Sequence, residues 1–165
     1  MEATISIAPL LEARSIAIIG ASADPLKIGG RPIEYLRRFG FSGRVVPVNP
    51  NRDNVQGLPC YRSLADTDPV DLAIIAAPAA GAREAVEQCI AAGTKGIILF
   101  SAGFAEVDER GRAAQSELAR MATQAGVSLL GPNCLGTINA HNKAVATFTC
   151  TKSRRPSDAR SSVKN

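Results

Sequence analysis

A chain of 165 residues, 45% apolar and 21% charged, is the size of one domain and long enough to bury a core without metal or disulfide support. Its formal charge of +4 lies wholly in residues 150–165, where Lys152, Arg154, Arg155, Arg160 and Lys164 meet only Asp158; the rest is neutral, and aromatics are only 4% with no Trp, so a nucleic-acid surface is poorly supported. No apolar run approaches the ~18 residues of a membrane span, and an N-terminus carrying Glu2 and Glu12 is unlike a signal peptide.

The elements follow in chain order. Residues 15–20 (SIAIIG) form a first run that is apolar on successive positions. After a polar loop, residues 30–39 put Ile33, Leu36 and Phe39 on one helical stripe, with Glu34, Arg37 and Arg38 off it and Gly40 as the stop. Residues 44–48 form a second run. Residues 50–70 hold Pro50, Gly57, Pro59 and Pro69, leaving room only for a short helical turn near 63–66. The third run, 71–77, leads into a helix over about 80–92 with Ala82, Val86, Cys89 and Ile90 on one face. The fourth run, 96–100, precedes an acidic cluster (Glu106, Asp108, Glu109) suited to the N-terminus of a helix over about 108–125. That helix turns Leu118, Met121 and Ala122 inward, and the fifth run, 127–130, follows. Residues 150–165 are polar, basic and without periodicity, so we expect a domain over 1–149 and a solvated, disordered tail over 150–165.

Runs that are apolar without alternation are strands buried on both faces, hence a parallel sheet. Their alternation with helices predicts an α/β fold: a three-layer, doubly wound, mainly parallel five-stranded sheet. Ligands of such sheets bind beyond the carboxyl ends of the strands, at the switch point. Those ends are polar or glycine-rich here: 20–30, 49–52, 76–79, 101–104 and 131–136.

The first loop departs from the dinucleotide fingerprint G-x-G-x-x-G. Gly20 is followed by Ser22 where the second glycine belongs, and the next glycines are Gly29 and Gly30. The second strand ends in Asn49-Pro50 rather than the acid that binds an NAD ribose, and Arg52 after it suits a ligand with an extra phosphate. Ser22, Lys27 and the amides opening the first helix could hold phosphates. The plain alternative, that the glycines merely end a loop and Lys27 is solvated, stays open at this point.

The four cysteines (Cys60, Cys89, Cys134, Cys150) are spaced for neither zinc nor a redox pair, which fits free thiols in a reducing, cytoplasmic setting. Cys60, Cys89 and Cys134 read as packing residues, Tyr35 and Tyr61 as half-buried supports, and His141 as a solvent-facing loop residue. No residue is assigned a catalytic or metal-binding role.

Five stretches in order carry a resemblance: SIAIIGASADPLKIGGRPIEYL, GRVVPVNPNRDNVQGLPCYRSLAD, VDLAIIAAP, GIILFSAGFAE and LLGPNCLGTIN. From about residue 15 to 148 the chain resembles the Rossmann-like N-terminal CoA-binding domain of the succinyl-CoA synthetase superfamily, in particular its ADP-forming acetate–CoA ligases. The resemblance implies CoA or acyl-CoA as ligand. It implies Ser22 and Lys27 at the CoA phosphates and Arg52 where synthetases place a Lys for the nucleotide end. Asn49 and Pro50 lead into that segment. Ala77, Pro78 and Ala79 would lie beside the adenine, Ser101, Ala102 and Gly103 along the groove, and Asn133 and Cys134 near the thiol end. The family's phosphohistidine and ATP-grasp domains lie beyond this stretch, and His141 does not match the phosphohistidine motif. The resemblance therefore implies a CoA-binding module that is not catalytic alone, with a ligase or ATP-grasp subunit as a possible partner. The tail, unlike the continuation in relatives, suggests truncation, a frameshift or a stand-alone domain. The competing reading is an NAD(H)-binding domain of a redox sensor or oxidoreductase.

Overall fold

The computed structural model describes residues 6–149, so the expected tail lies outside the described residues. Five strands form one parallel sheet: β1 (Ser15–Ile19), β2 (Arg44–Val48), β5 (Leu72–Ile75), β6 (Gly96–Leu99) and β7 (Ser128–Leu130). Their order is β2-β1-β5-β6-β7, as expected of a doubly wound sheet. Ile16 pairs with Val45 on one side and Leu72 on the other, and Ile19 with Val48 and Ile75. The chain leaves β1 toward one edge and returns past it to β5, so the direction of winding switches between β1 and β5.

Successive apolar residues in each strand serve opposite faces. Ala17, Ile19, Ala73, Ile75, Ile97 and Leu99 pack with α3 (Ala79–Ala91) and α4 (Glu109–Gln124) through Val86, Cys89, Leu118 and Ala122. Ile16, Ile18, Leu72, Ile74 and Ile98 pack with α2 (Arg31–Arg38) through Ile33 and Leu36. The three layers are present, but the second face is completed by pieces absent from the sequence expectation. These are a short α1 (Ala8–Leu11) and an antiparallel hairpin of β8 (Gly136–Asn139) and β9 (Ala144–Thr147), whose Ala144 and Ala146 lie under α2.

The segment between β2 and β5 is built locally. A two-residue hairpin joins β3 (Asn54–Val55) to β4 (Leu58–Pro59) and buries Val55. A 3-10 turn at Leu64–Asp66 is capped reciprocally: Ala65 N donates to Ser63 Oγ at 3.2 Å and Ser63 N to Asp66 Oδ2 at 3.1 Å. At the sheet's amino end, the Asp71 carboxylate accepts from Arg14 N, Ser15 N and Ser15 Oγ at 2.9, 2.9 and 3.0 Å. Burial opposes ionisation of Asp71, but these hydrogen bonds outweigh it and hold the carboxyl below its ordinary range. Among the described residues, no helix is long and apolar enough to cross a membrane, and no cluster of three or more His, Cys, Asp or Glu could hold a metal.

Candidate functional site

The loop after β1 is held at both ends. Gly20, at φ 81°, adopts a conformation open to glycine, and a Cβ there would stand 2.9 Å from the Ala76 carbonyl oxygen. Its amide and that of Ala21 both donate to Val48 O, at 3.0 and 3.1 Å, hooking the loop onto β2. Asn49 completes this tie: its Nδ2 donates to Ala21 O at 2.8 Å, and its Oδ1 accepts from Asn51 N at 2.9 Å.

Within the loop, Ser22 N donates to Gly29 O at 3.2 Å, and Ser22 Oγ accepts from Asp24 N at 3.1 Å. Gly30 packs so tightly that a Cβ would lie 1.9 Å from Asp24 O. The hairpin β3–β4 reaches across: Gln56 Nε2 donates to Ser22 O at 3.0 Å and Gly30 O at 2.9 Å. Arg31 closes the other side, donating to Leu26 O at 2.8 Å and Phe148 O at 2.6 Å. This differs in one respect from the sequence expectation. The amides of Gly30 and Arg31 both donate to Lys27 O at 2.9 Å, and Pro32 has none, so these first amides of α2 are engaged within the loop. Ser22, half-buried, keeps its hydroxyl proton available, and the Lys27 side chain is exposed.

Beyond the carboxyl ends of β1, β2 and β5 lies a cleft of about 350 Å³, at the switch point. It brings together Gly20, Pro50 and Ala77, which the sequence singled out, and adds Arg62, Gly81, Glu84, Ala85 and Gln88, which it did not, so one cation and one acid share its wall. Arg52 sits on the exposed turn begun by Asn49, where its amide donates to Asn49 O at 3.3 Å; it is not among the described residues lining this cleft. Arg62 is brought there by Tyr61, which bridges in parallel to Val48: Tyr61 N donates to Pro47 O at 3.0 Å and Asn49 N to Tyr61 O at 2.8 Å.

The remaining strand-end residues form a chain along the sheet edge. Ser101 is buried and its Oγ donates to Ala77 O at 2.5 Å, while Asn133 N donates to Ser101 O at 2.9 Å. Pro78 caps α3 without a side-chain bond. Ala102 and Gly103 are exposed, and Gly103 N donates to Glu106 Oε1 at 2.6 Å, which holds that carboxyl below its usual range. Asp108 caps α4, accepting from Gly111 N at 2.8 Å, and Glu109 lies in its first turn, so two of the three acids serve the helix start as expected while Glu106 holds the loop before it.

The thiols of Cys60, Cys89 and Cys134 are unactivated. Burial pushes Cys89 up to about 12 and also raises Cys60 and Cys134. Cys134 Sγ lies 3.5 Å from Leu99 O and 3.6 Å from Leu130 O as a donor, which suits a protonated packing residue. Tyr35 is buried with its hydroxyl on Thr149 O at 2.7 Å, Tyr61 is half-buried, and His141 is exposed in the β8–β9 turn.

Residues 14–140 match the model of the CoA binding domain family. The chain is 39% identical over 136 residues to the alpha subunit of an ADP-forming acetate–CoA ligase II from Pyrococcus furiosus, covering 82% of this chain and 30% of that one. It is 43% identical over 135 residues to an ADP-forming acetate–CoA ligase I from Archaeoglobus fulgidus, covering 81% of this chain and 19% of the relative. Among solved structures it superposes on a dinucleotide-forming acetyl-coenzyme A synthetase 1 from Ca. Korarchaeum cryptofilum in complex with phosphate and ADP. The TM-score is 0.82 at 36% identity, over 88% of this chain and 31% of that one. The chain thus spans about a third or less of the length of these relatives.

Proposed function

The chain belongs to the CoA binding domain family, and from that premise we propose that it holds CoA or an acyl-CoA in the cleft at the carboxyl ends of β1, β2 and β5. The observation that carries this reading is the cleft's position and chemistry. It lies at the switch point, is walled by Gly20, Pro50 and Ala77 together with Arg62 and, from α3, Glu84, and has no acid at the end of β2. Asn49, which occupies the acid's place, has its carboxamide bonded to Ala21 O and Asn51 N, so it is not poised for a diol. That disfavours NAD(H).

In this reading the adenosine lies against Pro50, Ala77 and Pro78. Ser22 and Lys27 meet the pyrophosphate, and Arg52 adds positive charge from the rim. The pantetheine arm runs along Ser101, Ala102 and Gly103 toward Asn133. The domain serves as the CoA-binding part of an ADP-forming acyl-CoA ligase system. The acid-activating and nucleotide-binding steps fall to other segments or to a partner subunit, since the described residues offer neither an activated thiol nor a histidine in the cleft.

Thermal melting tests this. A ligand at ~100 times its dissociation constant stabilises the fold by roughly 2.7 kcal/mol. CoA is expected to raise the melting temperature and NADH to leave it unchanged. A shift with NADH and none with CoA would reverse the assignment.

A further inference from the structure

The geometry points to Arg62 as the residue that discriminates CoA from its analogue lacking the ribose phosphate; this rests on the CoA reading above. The exposed turn carrying Arg52 and the cleft wall carrying Arg62 are different places. Arg62 lines the cleft together with Gly20, Pro50 and Ala77, whereas Arg52 is not among the described lining residues.

The backbone at Arg62 is held beside the carboxyl end of β2. Tyr61 is zipped to the carboxyl end of β2 through its bonds with Pro47 and Asn49. Ser63 is fixed on the other side by the reciprocal cap with Asp66. A guanidinium rooted between these two anchors stands at the end of the second strand, the place from which doubly wound sheets read the adenosine ribose and where a cation accommodates a phosphate on it. Its planar fork can pair with two phosphate oxygens at once.

The side chain is also available. Its partner is Asp53, at 3.8 Å, and the two side chains are 74% and 93% exposed. An ion pair this long and this wet holds its members loosely. A phosphomonoester, carrying close to two negative charges, can therefore draw Arg62 away from Asp53 and over the cleft.

Calorimetry on the full chain separates the possibilities, with CoA and 3′-dephospho-CoA as titrants on the unmodified protein, Arg62→Ala and Arg52→Ala. All three are checked for equal melting temperatures; because Arg62 is exposed, its loss is not expected to unfold the domain. The unmodified protein should prefer CoA by ~10–100-fold, the range of a charge-assisted contact. Arg62→Ala should abolish that preference while binding dephospho-CoA as before, and Arg52→Ala should weaken both titrants alike. Asp53→Asn, which frees Arg62, should tighten CoA but not dephospho-CoA. If Arg62→Ala retains the full preference, or the unmodified protein binds both titrants equally, the assignment of Arg62 is overturned while CoA binding stands. If the unmodified protein binds neither, the CoA reading itself falls, and Arg62 with it.

Discussion

Gln56 fastens the loop that we assign to the CoA phosphates, and its removal gives a quantitative test. It occupies the turn between β3 and β4 at φ 52°, a conformation asparagine tolerates better than most residues. Gln56→Asn therefore keeps the turn but shortens the side chain by one methylene, so the carboxamide no longer reaches Ser22 O and Gly30 O. Two net hydrogen bonds at about 0.5–1.5 kcal/mol each set an upper range of about 1–3 kcal/mol. Water can reach the carbonyl of half-buried Ser22 more readily than that of buried Gly30, so we expect about 1–2 kcal/mol, a factor of about 5–30 in loop opening. Hydrogen exchange reads this directly. The amides of Ser22, Gly30 and Arg31, bonded within the loop to Gly29 O and Lys27 O, should exchange faster by that factor, while Ile98 in the sheet should not change. Affinity for CoA should fall several-fold. Unchanged loop exchange, or acceleration of Ile98 in step with the loop, would refute the idea that Gln56 is a local fastener.

Other substitutions probe the remaining claims. Gly30→Ala would put a Cβ 1.9 Å from Asp24 O, so the loop must open; calorimetry should show CoA binding weakened by more than ~10-fold at a cost of about 1–3 kcal/mol in stability. Asp71→Ala should destabilise by about 1–3 kcal/mol at neutral pH by stranding two amides. Because the folded Asp71 carboxyl titrates below its ordinary 3.8, its contribution is full above that value and is lost as the pH falls through the lower folded one. Urea midpoints of the two proteins should therefore converge in acid; a constant gap would contradict the role given to its charge. Iodoacetamide at pH 7.5 should leave Cys89 unlabelled until urea unfolds the chain, by peptide mass mapping, and Cys134→Ser should leave CoA affinity within about twofold.

The sheet was legible because β5 and β6, and β1 after Ser15, carry no polar side chain on successive residues, a pattern that only strands covered on both faces require. The helices α2 to α4 were legible from their stripes and terminal glycines. The hairpin β8–β9 was not: β8 is half-exposed Gly-Thr-Ile-Asn with Ile138 57% exposed, and β9 is buried only because α2 lies over it. Neither strand has a period of its own. At the site, the unusual first loop and the missing acid after β2 could be read from residue type alone. That Arg62 and not Arg52 stands on the cleft wall depends on the Val48–Tyr61 bridge, a pairing across a proline-rich segment with no sequence signature. The reach of Gln56 to the first loop is hidden for the same reason: it spans 34 residues to Ser22 and depends on a two-residue turn.

The most direct measurement is an amide-resolved NMR titration of the protein with CoA. The largest shifts should fall on Gly20, Ala77 and Gly81, which wall the cleft, followed by Ser22 and Lys27 in the adjoining loop. A spectrum that CoA leaves unchanged, or shifts gathered instead on the α3–α4 groove around Ile90, Met121 and Ala125, would contradict the account.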